Sequence, residues 1–185
     1  DVDVTVIRGI NDEALGADHH LVSCASTSAH ALCLTLKVLD EAFGVRRAFM
    51  TVVHAYTGDQ QLADRVTDEL RFSRSAAENL IPNGTILPGI VGHLMPNLAE
   101  KVDGMSLNAP VPNGSNVDLV TELGRDVSAE EINAAMREAA AGPMGPVLAY
   151  QDEPIVSSDV IGDDRSAIFD SLATLVLQDK LAKTV

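Results

Sequence analysis

The sequence predicts an α+β domain, a mostly antiparallel mixed sheet with about three helices on one face. Three observations predict it. Helical periodicity is pronounced at only two or three places in the 185 residues. Several short β-branched runs are separated by turn residues rather than by helices. No Gly-x-Gly-x-x-Gly follows a strand, so no dinucleotide-binding unit is in view.

Taken in order, residues 5–10 read as a short strand ended by Gly9 and the turn pair Asn11-Asp12, and residues 21–23 as a strand edge. Leu32, Leu36, Leu39 and Phe43 then recur at helical spacing, with Ser26 as N-cap and Gly44 just past the end. Residues 45–56 are apolar and β-branched enough for a buried strand. Residues 57–88 read as mostly irregular, with Pro82-Asn83-Gly84 as a turn. A helix over 89–102 must kink or stop at Pro96. Residues 105–111 and 117–123 read as strands flanking the turn Pro112-Asn113-Gly114, a hairpin-like arrangement. Ser128 and Glu131 make a capping box for a helix over 129–141, ended by Gly142-Pro143. Strands follow at 147–150 and within 167–185, the last pair hinged near Asp179-Lys180.

Composition excludes several function classes. Thirteen basic and 27 acidic residues give a net charge of -14, a field that repels nucleic acid and anionic lipid. No apolar run approaches the roughly eighteen residues of a membrane span. The chain opens on Asp1 rather than methionine, which leaves targeting open. Cys24 and Cys33 read as reduced thiols of a cytoplasmic protein rather than a disulfide framework, and no Cys/His spacing resembles a metal site.

Eight segments carry a family resemblance: Ser23-Cys24-Ala25-Ser26-Thr27, His54-Ala55-Tyr56-Thr57, Asp103-Gly104-Met105, Pro110-Val111-Pro112, Val117-Asp118-Leu119-Val120, Glu131-Ile132-Asn133, Ser157-Ser158-Asp159 and Ile168-Phe169-Asp170. In this order and spacing they resemble the catalytic domain of phosphorylating glyceraldehyde-3-phosphate dehydrogenases over nearly the whole chain. The resemblance implies a large mixed sheet covered by three helices. It also implies a single domain from 1 to 185, with the family's nucleotide-binding domain absent: that domain would precede Asp1, and the C-terminal helix would follow Val185.

The resemblance further implies that Thr27 stands at the position of the nucleophilic cysteine, 27 residues before the retained histidine, His54. A cysteine there is activated as a thiolate by a helix N-terminus and an imidazole. An alcohol has no comparable route to the anion without a dedicated base. His54 and Thr27 are therefore the candidate catalytic pair, and Cys24 a less favoured displaced thiol. The phosphate-binding arginines of the family align with Phe72 and Asn108, and the anion-binding loop becomes Thr85-Ile86-Leu87-Pro88. Ser26, Ser28, His30, Thr57, Phe72, Thr85 and Asn108 are the candidate substrate-binding residues.

Two functional expectations follow. The first is a repurposed non-redox enzyme, a cyclase, isomerase, lyase or hydrolase, acting on a small, less charged molecule with His54 as acid and base. The alternative is the catalytic-domain portion of a divergent NAD-dependent oxidoreductase of this family, or a non-catalytic oligomeric binding protein. No cofactor is expected within residues 1–185, NAD entering only with a preceding domain. A small-molecule ligand and a homo-oligomer, dimer or tetramer, are the expected partners.

Overall fold

A long helix and the strand after it organise the fold. In the computed structural model, which describes residues 2–185, α1 spans Thr27–Phe43. The Ser26 hydroxyl accepts a hydrogen bond from the Ala29 amide, a cap that contributes about 1 kcal/mol. The helix ends where Gly44 adopts φ +71° and its amide reaches back to the Asp40 carbonyl. Leu32, Leu36, Leu39 and Phe43 are all buried. So are Cys33, Leu34 and Val38, because α1 is covered on several sides.

The main sheet has six strands. In chain order they are β3 (Val45–Ala55), β4 (Ile81–Asn83), β5 (Val102–Ala109), β6 (Ser115–Leu123), β9 (Leu175–Leu177) and β10 (Leu181–Thr184). Their order across the sheet is β4-β5-β3-β6-β10-β9. Four of the five pairings are antiparallel; β3 and β5 run parallel. Two parallel pairs lie apart, β1 (Val4–Thr5) with β2 (Val22–Ser23) and β7 (Leu148–Gln151) with β8 (Ala167–Asp170). Helices α2 (Leu87–Leu94) and α3 (Ala129–Ala141) pack beside α1. The mixed sheet and three helices match the expected class.

Strand alternation divides the sheet into two faces. Ala48, Met50, Val52, Val102, Leu119, Leu123 and Ala182 are buried on the helix-covered side. Phe49, 65% exposed, and the exposed Leu175, Leu177 and Leu181 lie on the other. The capping box of α3 forms as expected, with Ser128 Oγ accepting from the Glu131 amide and Glu131 Oε2 accepting from the Ser128 amide.

Four expectations need correction. The strands around Pro112-Asn113-Gly114 are not a hairpin: β3 lies between β5 and β6, and the connection passes over its end. Pro82-Asn83 is not a turn but part of β4, an edge strand, where a missing amide is tolerated. The first strand stops at Thr5, because Asn11 turns the next residues by accepting from the Ile7 amide and donating to the Thr5 carbonyl. The helix expected over 89–102 begins at Leu87 and ends at Leu94; Pro96 opens a short 3₁₀ turn and Val102 already belongs to β5.

Candidate functional site

The α1–β3 unit brings Thr27 and His54 together by length alone. A 17-residue helix rises about 25 Å. The chain reverses at Gly44, and a strand covers the same distance in about eight residues. The return therefore reaches the start of α1 near Val52–His54. His54 shares the helix-side face with Met50 and Val52, flanked in register by Asn108 of β5 and Ser115 of β6. Thr27 is the first helical residue, where the backbone dipole favours negative charge.

Both residues line a cavity of about 380 Å³ between α1, the ends of β3 and β6, β8 and the segment before it. His54 is half-buried, and its Nδ1 lies 2.6 Å from the Ala55 carbonyl. A carbonyl only accepts, so Nδ1 carries the proton in the neutral ring and Nε2 is left as the basic nitrogen for a ligand. Around this pair the cavity offers hydroxyls at Thr35, Ser115 and Ser157 and an apolar end at Leu119, Leu148 and Phe169.

The other candidates lie off this wall. Ser26 is occupied as the N-cap, and Ser28 is buried in the first turn of α1. His30 does not enter the cavity: its Nε2 lies 2.6 Å from the Cys24 carbonyl, tying the chain before the helix to its first turn. Cys24 is exposed. The Thr57 hydroxyl donates to the Asp59 carboxylate, and its amide donates to Gln60 Oε1. Asn108 is buried and donates from Nδ2 to the same Gln60 oxygen at 2.8 Å, so an amide pair fills this position beside His54. Thr85 lies two residues before α2, and its Oγ1 accepts from the Leu87 amide. Phe72 lies in a separate open groove with Leu70, Arg71 and Pro82.

The sequence reading missed Arg165 and Thr184. Arg165 lines the cavity and grips Asp163 through Nε and Nη2, which holds the Asp163 carboxyl down at about 2. Thr184 lies on the same wall, fully buried, with no hydrogen-bond partner for its hydroxyl. Arg165 follows an acidic loop and Thr184 ends an ordinary strand, so neither stands in a pattern that announces a site. Burial alone pushes the Cys33 thiol up to about 12, which makes it an inert core residue. Among the described residues no cluster of metal-ligating side chains forms, and no helix is long and apolar enough to cross a membrane.

Comparison with known proteins supplies the family. Residues 23–185 match the family described as glyceraldehyde 3-phosphate dehydrogenase, C-terminal domain. A glyceraldehyde-3-phosphate dehydrogenase of Mycobacterium avium is 45% identical over 185 residues, covering 100% of this chain and 54% of that protein. Glyceraldehyde-3-phosphate dehydrogenase 2 of Streptomyces avermitilis is 42% identical over 184 residues, covering 99% of this chain and 55% of the relative. Glyceraldehyde-3-phosphate dehydrogenase 1 of Bacillus subtilis is 41% identical with the same coverage. The chain thus spans about half the length of the curated relatives it matches. These matches favour the catalytic-domain reading and lend no support to a repurposed non-redox enzyme.

Proposed function

Because the chain belongs to the glyceraldehyde 3-phosphate dehydrogenase family through its C-terminal domain, we propose that it forms the small-molecule site of a dehydrogenase of that type. The observation that carries this reading is the shared cavity wall of Thr27 and His54. His54 Nε2 takes the proton of a ligand hydroxyl or gives one to a ligand carbonyl oxygen. The Thr27 hydroxyl, at the positive end of α1, orients the ligand oxygen by hydrogen bonding without forming an acyl intermediate. NAD would accept hydride when bound. The described residues do not fit it: among them no glycine-rich turn leads from a strand into a helix, and Gly44 leads from helix into strand. No step is therefore derived through it.

The test uses the full-length protein with NAD and small aldehydes and alcohols. His54→Asn is expected to lower kcat by about 10²–10⁴ with little change in KM, the range for loss of a general acid–base group. Equal turnover by wild type and variant removes His54 from the chemistry. Mass spectrometry that finds an ester on Thr27 during turnover removes the orienting role given to its hydroxyl.

A specific observation supports self-association as well. The uncovered sheet face carries the exposed Phe49, Leu175, Leu177 and Leu181 among the ion pairs Arg47–Glu122 and Lys183–Asp118, a mix of apolar and paired charged groups suited to a contact with a second protein surface. A second copy of the chain, related by a two-fold axis, is the proposed occupant. Phe49→Glu is expected to lower the mass measured by light scattering by at least one dimerisation step. An unchanged mass rules out this face as the contact.

A further inference from the structure

The chain contains two Asn-Gly pairs, Asn83-Gly84 and Asn113-Gly114, and the fold holds them differently. Asn83 is half-buried, the last residue of β4, in register with Ser106 of β5. Asn113 is exposed in the turn between β5 and β6. Its Oδ1 accepts from the Gly114 amide at 2.7 Å, so the side-chain carboxamide is folded back onto the next backbone nitrogen. Gly114 has no Cβ to crowd that approach.

We propose that Asn113 is a site of spontaneous covalent modification, deamidation through a succinimide. The Gly114 nitrogen gives up its proton to hydroxide and forms a bond to Asn113 Cγ. The C–N bond of the carboxamide breaks, and its nitrogen leaves as ammonia after taking a proton from water. Water then opens the ring at either carbonyl, which yields aspartate or isoaspartate. Nothing is oxidised or reduced, and water is the only co-reactant. The Oδ1–amide contact holds the carboxamide beside the nitrogen that must attack it, which shortens the conformational search for ring closure. Asn83 lacks this freedom because the ladder of β4 with β5 fixes the backbone that ring closure must rotate.

The position gives the modification a consequence. Asn113 lies on the cavity wall with Thr27 and His54. The Gly114 carbonyl accepts from the Ala55 amide at 3.2 Å, and Ser115 is in register with His54. Conversion puts a carboxylate on that wall, and isoaspartate adds a backbone carbon where β3 and β6 are tied together. This consequence rests on the proposed site; the modification itself does not, so its failure leaves the proposed function standing.

The experiment is a time course of the full-length protein at mildly alkaline pH, followed by peptide mapping and enzymatic detection of isoaspartate. The Asn113 peptide is expected to show the mass change of amide to acid, divided between two products, roughly tenfold or more ahead of Asn83. Asn113→Ser is expected to abolish that conversion and leave the slower one at Asn83. Equal rates at the two sites overturn the inference. So does an intact Asn113 after an unstructured peptide of the same local sequence has converted.

Discussion

Thr27→Cys is expected to create the most reactive thiol in the chain. The new side chain sits at the first position of α1 and on one cavity wall with His54. A helix N-terminus and an imidazole are the two groups that lower a thiol toward the thiolate, the form that reacts. The native cysteines supply both controls. Cys33 is buried with its thiol at about 12, and Cys24 is exposed before the helix. Alkylation at position 27 is expected to outrun Cys24 by about tenfold or more, and adding His54→Ala should remove most of the gain. Labelling no faster than Cys24 sinks the claim that the helix terminus and His54 act together there.

Gly104→Ala carries the largest expected effect on stability. Gly104 lies opposite Met50 in the parallel pair β3–β5. A Cβ there would overlap the Met50 carbonyl oxygen and press on its Cγ. The side chain can move; the backbone oxygen cannot, because β3 is the centre of the sheet and paired on both sides. The substitution is expected to cost about 3–5 kcal/mol or to prevent folding, read as a drop in the urea midpoint. Gly58→Ala, where an added Cβ meets nothing within 4 Å, is the matched control and should change little. Equal midpoints for the two variants mean that β5 moves away from β3 at small cost.

The contrast between α1 and the sheet shows which parts of the fold were legible before any coordinates. The Ser26 cap, the apolar stripe and Gly44 are local devices, each readable within a turn or two of chain, and the helix lies where they place it. The capping box at Ser128 and Glu131 is equally local. Pairing is not. Nothing within 105–111 or 117–123 states that β3 will lie between them, because a strand's alternation depends on which face is buried and not on which neighbour supplies the hydrogen bonds. Pro82 misled for a related reason. Its usual meaning is a turn, but at a sheet edge the missing amide faces no partner.

The candidate site divides along the same line. Thr27 and His54 were named through the family resemblance, and both line one cavity. Asn108 and Thr57 were also named, but the structure commits their polar groups to Gln60 and Asp59 within the protein. Hydrogen-bonding capacity is a property of the residue; whether it is spent internally depends on neighbours distant in sequence. Gln60 is 48 residues from Asn108, and no local pattern links them.

By itself, then, the sequence determined the α+β class and the start and stop of its two main helices, while the link between Thr27 and the histidine 27 residues on came from the family resemblance. The class and the helices rest on backbone capping and on hydrophobic period, both short-range quantities. Only the tertiary structure decided the central place of β3, the exposure of Phe49 on the uncovered sheet face, and the arrival of Arg165, Thr184 and Asn113 on the cavity wall. Each of these depends on contacts between segments far apart in the chain, where many arrangements satisfy the same local pattern and the packing of the whole core selects one.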